Sequence, residues 1–142
     1  MTHFYLAYGW LLESELELPG FHGAAAGEPD VRIRLGKLPT FRHELGLKAR
    51  SWSVASGEVT IRVEKLGTFS LGSGAEVIVD PDPDVDEWDL VAFLKKPVLT
   101  SLLVIRRRFP LQASAVDTPL GAIVLAGATG AGKSTLAAAL HS

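Results

Sequence analysis

The sequence lacks cysteine altogether, and its charge is nearly balanced. With no cysteine in 142 residues, disulfide bonds, thiolate metal sites and cysteine nucleophiles are excluded. A formal net charge of −2 gives no electrostatic case for nucleic-acid binding, and the one basic run, Arg106–Arg108, is short. No basic segment leads into an apolar run at the N-terminus, and no apolar stretch reaches the roughly 18 residues of a membrane span. These features predict a cytoplasmic protein that binds neither nucleic acid nor membrane.

The first eighty residues show the alternation of short β-strands. Hydrophobic residues make up 47% of the chain and charged residues 21%, which is typical of a globular protein. Apolar and polar side chains alternate over residues 31–35 and 58–64, as in half-buried strands. Residues 67–71 and 75–80 predict two more strands joined by a glycine-rich turn. Residues 4–12 favour a strand as well, although their pattern also fits a buried helix.

A helical pattern replaces the strands from Val85 onward, where apolar residues recur at helical spacing. Asp84 is the predicted N-cap, with Glu87 three residues on as in a capping box. Pro97 predicts a kink or two shorter helices. The acids between residues 80 and 89 could bind a hard cation, but a strand-to-helix turn with acidic residues at the helix start explains them better. Core positions are predicted for Trp10, Trp52 and Trp88.

The most specific motif lies near the end of the sequence. Residues 127–134 read GATGAGKS and fit the phosphate-binding pattern G-x-x-x-x-G-K-[ST] without a mismatch. Glycines let successive backbone N–H groups face phosphate oxygens, and a helix starting near Gly132 adds its dipole. In this pattern the lysine reaches the β- and γ-phosphates and the serine binds Mg²⁺. The candidate nucleotide site comprises Gly127, Ala128, Thr129, Gly130, Ala131, Gly132, Lys133, Ser134 and Thr135, with Ser134 as the metal ligand and Thr135 supporting the α-phosphate side.

A phosphotransferase needs more than a phosphate-binding loop. It usually also has an acidic residue at the end of a later strand, which holds Mg²⁺ or acts as a base, whereas eight residues follow Ser134 here. We therefore expect this chain to be the front portion of a longer protein and to be inactive in transfer by itself. The apolar strand 121–126 is predicted to be buried on both faces of a complete sheet. Its open edge would favour association with other chains, so a homo-oligomer is a further expectation.

Several segments together resemble the HPr serine kinase/phosphorylase family, in particular the HPr-kinase-related kinases of bacterial biosynthetic gene clusters. The resemblance spans most of the chain and is sharpest over its last thirty or so residues. The segments that carry it are YGWLLESELELPGF at 8–21, VRIRLGKLP at 31–39, EVIVDPDP at 76–83, LQASAV at 111–116 and GAIVLAGATGAGKSTL at 121–136.

This resemblance implies an α/β fold, α+β overall, in which a small β-rich region precedes a P-loop kinase domain similar to phosphoenolpyruvate carboxykinases. The expected regions are residues 1–84 (β-rich), 85–108 (a connecting helix or helices) and 109–142 (the start of the kinase domain). The implied activity is transfer of the γ-phosphate of ATP, with Mg²⁺, to a serine of a protein or peptide. The motif glycines, Lys133 and Ser134 carry over to the nucleotide loop.

Gln112 departs from the family pattern, which usually reads L-H-A-S-A-V before the loop. Glutamine forms hydrogen bonds but carries no proton at neutral pH, so the role of Gln112 stays open. Two other interpretations also stay open. One is a different P-loop ATPase, such as a transporter ATPase, in which an aromatic residue some twenty positions before the loop stacks on adenine; Phe109 is the nearest candidate. The other is a truncated gene product that serves as a non-catalytic binding module.

Overall fold

The computed structural model describes residues 1–39, 50–55 and 57–141. The predicted regions 1–84 and 109–142 therefore include residues outside this description, namely 40–49, 56 and 142. The chain forms two compact units, Met1–Arg108 (unit 1) and Phe109–Ser142 (unit 2). The fold is mixed α/β and rich in strands, as predicted. No helix in the described ranges is long and apolar enough to cross a membrane.

Unit 1 is built on a mixed sheet with eight strands in its described residues. The strands are β1 (His3–Ala7), β2 (Trp10–Ser14), β3 (His22–Gly23), β4 (Val31–Leu35), β5 (Arg50–Ala55), β6 (Glu58–Val63), β7 (Gly67–Ser70) and β8 (Glu76–Pro81). The order across the sheet is β3-β1-β2-β4-β8-β7-β6-β5. Pairing is parallel between β2 and β4 and between β4 and β8, and antiparallel elsewhere.

A two-residue turn joins β1 to β2, which settles residues 4–12 as a hairpin rather than a helix. Tyr8 and Gly9 have φ values of 57° and 72°, the left-handed pair that matches the twist of hairpin strands. Such a φ is unusual for tyrosine. The Tyr8 carbonyl accepts a hydrogen bond from the Arg108 guanidinium at 2.5 Å, and its ring packs edge-on against Trp10. Burial raises the pKa of the Tyr8 hydroxyl.

The predicted interruption of the helix at Pro97 is confirmed. Helix α1 (Glu87–Phe93) runs into a π-helical turn (Leu94–Val98), which contains the proline and continues as α2 (Leu99–Ile105). A wider turn accommodates a residue that lacks the N–H of a regular helix.

The predicted N-cap, Asp84, is wrong by two residues. Asp86 caps α1, because its carboxylate accepts hydrogen bonds from the backbone N–H groups of Trp88 and Asp89. Asp84 has a φ of 60° and belongs to the turn that brings the chain from β8 to the helix. Aspartate occurs at every second position from 80 to 86, so the sequence alone does not decide between Asp84 and Asp86 as the N-cap.

The hydrophobic core of unit 1 lies between the sheet and one face of the helical segment formed by α1, the π-helical turn and α2. The rings of Phe69 on β7 and Phe93 on α1 meet with centroids 5.2 Å apart. Trp10 is 3% exposed and belongs to the core, as predicted, but Trp52 and Trp88 are 50% and 72% exposed. Core positions for these two are therefore wrong: Trp52 lies on an edge strand, and Trp88 projects from the first turn of α1.

The acidic segment between β8 and α1 has structural roles. Asp80 accepts hydrogen bonds from the Leu38 N–H and the Lys37 ammonium, both at 2.9 Å. Asp82 binds the Arg62 guanidinium at 2.8 Å. Together with the cap at Asp86, these contacts favour the strand-to-helix turn as the reason for the cluster.

Asp80→Asn should destabilise unit 1 by about 1 kcal/mol at pH 7, the usual scale of one hydrogen bond. Burial tends to raise the pKa of Asp80, but the Leu38 N–H and Lys37 outweigh it, so the pKa is lowered. A lowered folded pKa gives stability that is present above the unfolded pKa of about 3.9 and is lost as pH falls through the folded value.

The difference between wild type and Asp80→Asn, measured by urea unfolding, should therefore shrink below about pH 4. Lys37→Met removes one of the two partners of Asp80 and keeps the Leu38 N–H, and it should cost less stability than Asp80→Asn, because the Lys37 side chain is 88% exposed and exposed ion pairs contribute little. A pH-independent difference would contradict this role for Asp80.

Unit 2 consists of an antiparallel hairpin and one helix: β9 (Ala113–Thr118), β10 (Gly121–Ala126) and α3 (Lys133–His141). Strand β10 falls where the sequence predicts an apolar strand, at residues 121–126. The burial expected for β10 is absent from this chain, since Ile123 and Val124 are 45% and 51% exposed. In the described residues β10 has β9 as its one neighbouring strand, and α3 packs mainly on β9.

Candidate nucleotide-binding site

The structure places the phosphate-binding motif between a strand and a helix. Strand β10 ends at Ala126, residues 127–132 form the loop, and α3 begins at Lys133. The N–H of Leu136 donates to the Gly132 carbonyl at 2.9 Å as the first turn of α3 forms. All the predicted site residues, 127–135, therefore lie in the loop or the first turn of the helix. Free N–H groups at this end of a helix favour anions.

Two glycines give the loop its shape. Gly130 and Gly132 have φ values of 83° and 78°, in the region that residues with a Cβ avoid. A Cβ at either position would meet no other protein atom within 4 Å. Backbone conformation, rather than crowding within the protein, is thus the reason for glycine here. Left-handed residues within such a loop turn neighbouring N–H groups to one side, which creates a concavity for anions.

Lys133 holds the positive charge of the site. Its ammonium donates to the carbonyls of Gly127 and Ala128 at 2.9 and 2.7 Å, so the side chain folds back over the start of the loop. Lys133 is the only lysine or arginine among residues 109–142. A phosphate oxygen would have to replace these carbonyls as the partner of the ammonium.

Ser134 points toward the hairpin. Its Oγ lies 3.4 Å from the Oγ of Ser114 on β9. Ser134 and Thr135 are both exposed in the first turn of α3. A hydroxyl ligand combined with phosphate oxygens suits Mg²⁺, which takes few protein ligands in nucleotide sites. The residues present therefore fit a Mg²⁺–nucleotide, with Ser134 as the metal ligand.

The hairpin register decides which residues of β9 are near the loop. Ala113 pairs with Ala126, the last residue before the loop, whereas Asp117 pairs with Ala122 at the other end. Gln112 precedes β9 and is exposed at the loop end. Sequence analysis did not identify Ser114. The available signal was the spacing of two residues between Ser114 and the buried Val116, which places both side chains on the same face of β9.

Comparisons of the chain with protein-family models, with curated proteins and with solved structures give no match.

Proposed function

We propose that this protein binds Mg²⁺–ATP through residues 127–135. The observation that carries the proposal is the loop itself: a complete phosphate-binding motif between a strand and a helix, with left-handed glycines at 130 and 132. Backbone N–H groups of the loop and α3 would bind phosphate oxygens. Lys133 would neutralise the β- and γ-phosphates, and Ser134 would hold Mg²⁺, which would add positive charge that offsets the charge of the phosphates.

We further propose that this nucleotide site serves a serine kinase resembling the HPr kinase family. The transfer would form a bond from a serine Oγ of a protein or peptide to the γ-phosphorus, break the bond to the β,γ-bridging oxygen and pass the serine proton to a base. Asp117, the one acid among residues 109–142, lies at the far end of the hairpin and is not suited to be that base. The segment 111–116 before the loop supports this proposal through its likeness to the family.

A transporter-type ATPase is the second candidate, because Phe109 is 88% exposed and 18 residues before Gly127. An adenine-stacking Phe109 predicts that Phe109→Ala weakens ATP binding but leaves inorganic triphosphate binding unchanged. In the kinase alternative, both ligands keep their wild-type affinities in this variant.

Calorimetric titration of the chain with ATP, with and without Mg²⁺, tests the proposed function. We expect saturable binding that Mg²⁺ strengthens, and competition by inorganic triphosphate, because the phosphates make the predicted contacts. We expect weak affinity, since α3 has only 9 residues and short helices fray. No heat and no competition at millimolar ATP would leave the non-catalytic binding module as the better interpretation.

Gln112→His should make nucleotide affinity depend on pH. Histidine titrates near pH 6.5, and Gln112 lies at the loop end of the hairpin. The protonated imidazole would attract phosphate, so affinity in the variant should rise as pH falls from 8 to 5.5, while wild type changes less. Overlapping pH profiles would show that this position does not reach the phosphates.

A further inference from the structure

Among the described residues, Ser114 is the side chain from outside the motif with a hydrogen-bond contact to Ser134, the predicted metal ligand. It is half-buried on β9, on the same face as Val116, and its Oγ lies 3.4 Å from the Ser134 Oγ. The next hydroxyl along this face, Thr118, instead donates to the Gly121 carbonyl at 2.6 Å within the hairpin turn. Of these two hydroxyls on β9, Ser114 is therefore the one placed to contact Ser134.

A hydroxyl that binds a metal ion uses an oxygen lone pair, so its proton must point away from the metal. That proton needs an acceptor, and groups that supply one orient the ligand and tune its strength. The Ser114 Oγ lies within reach of the proton. Its present distance of 3.4 Å exceeds the usual O–H···O length of about 2.8 Å, and rotation about χ1 of either serine can shorten it.

We propose that Ser114 is a positioning residue: its Oγ accepts a hydrogen bond from the Ser134 hydroxyl and thereby directs a lone pair of the Ser134 Oγ toward Mg²⁺. The inference rests on the proposed function. The hairpin makes Ser114 suited to this role, because Ser114 pairs with Leu125, two residues before the loop begins. Packing of α3 on β9 positions Ser134, which lies in the first turn of α3.

The test compares ATP affinity with Mg²⁺ and with EDTA in wild type, Ser114→Ala and Ser114→Thr. The readout is the ratio of the two affinities, which isolates the contribution of the metal. Ser114→Ala should reduce this ratio by about 10-fold, the lower end for groups that orient a metal ligand, without changing the affinity in EDTA. Ser114→Thr keeps the hydroxyl and should retain the wild-type ratio.

A purely structural role gives a different result. If Ser114→Ala weakens binding equally with Mg²⁺ and with EDTA, the serine merely supports the loop and the inference is overturned. A wild-type ratio in Ser114→Ala overturns it too, while the nucleotide site itself stands. Absence of ATP binding by the wild-type chain would instead reject the proposed function, on which the inference depends.

Discussion

Lys133→Ala is expected to weaken Mg²⁺–ATP binding by about 10- to 100-fold, since a hydrogen bond to a charged group contributes about 1.5–3 kcal/mol. The effect should be large because no other lysine or arginine occurs between residues 109 and 142. Within the part of the chain that the structure describes, the ammonium donates to two backbone carbonyls of the loop, Gly127 and Ala128, and forms no ion pair. Its removal should therefore reduce ligand binding more than protein stability.

Calorimetry with ATP measures this loss, and circular dichroism confirms that the variant keeps its fold. Lys96→Ala is the matched control, because Lys96 is an exposed lysine of unit 1. Lys133→Arg should also bind more weakly than wild type, since a planar guanidinium does not replace a compact ammonium in a loop of this kind. Equal affinities for wild type and Lys133→Ala would reject the assignment of the phosphates to this loop.

Gly67→Ala should destabilise unit 1 by about 3 kcal/mol or more, the range of severe backbone and packing defects. Gly67 begins β7 with a φ of 152°, and a Cβ there would lie 2.6 Å from the Asp80 carbonyl oxygen. It would also lie 3.0 Å from the Pro81 Cα. Both neighbours are backbone atoms of β8, so relief requires the paired strands to separate.

Urea unfolding followed by tryptophan fluorescence measures this effect on unit 1 alone, because all three tryptophans lie there. Gly57→Ala is the control: Gly57 also has a positive φ, 82°, but a Cβ there would meet no atom within 4 Å. It should cost about 1–2 kcal/mol, from backbone strain alone. If the two variants lose the same stability, the close approach of β7 and β8 is not what requires glycine at position 67.

Local patterns predicted most elements of this fold, although not β3 or β5. Alternation located β4 and β6, and the helical spacing with Pro97 predicted a helix interrupted at the proline, which the structure has as α1, a π-helical turn and α2. The strand, loop and helix around the phosphate motif also follow from residue type and order. In each case the pattern that predicts the element lies within a short stretch of the sequence.

Features set by distant contacts were not predictable in this way. Trp88 is apolar and correctly spaced for a helix face, but α1 buries Leu90, Val91 and Phe93 instead. Asp84 and Asp86 both resemble N-caps, and the path of the chain after β8 decides between them. The approach of Ser114 to Ser134 depends on the hairpin register and on the packing of α3, neither of which a single sequence displays.

Backbone amide NMR shifts test the claim that residues 127–135 bind the phosphates of a nucleotide. Addition of Mg²⁺–ATP to the ¹⁵N-labelled protein should shift the amide signals of residues 127–135 most, with Gly130 and Gly132 among them. Inorganic triphosphate should reproduce the main shifts and adenosine should not. Unchanged loop signals at millimolar Mg²⁺–ATP, or shifts confined to residues 1–108, would contradict the claim.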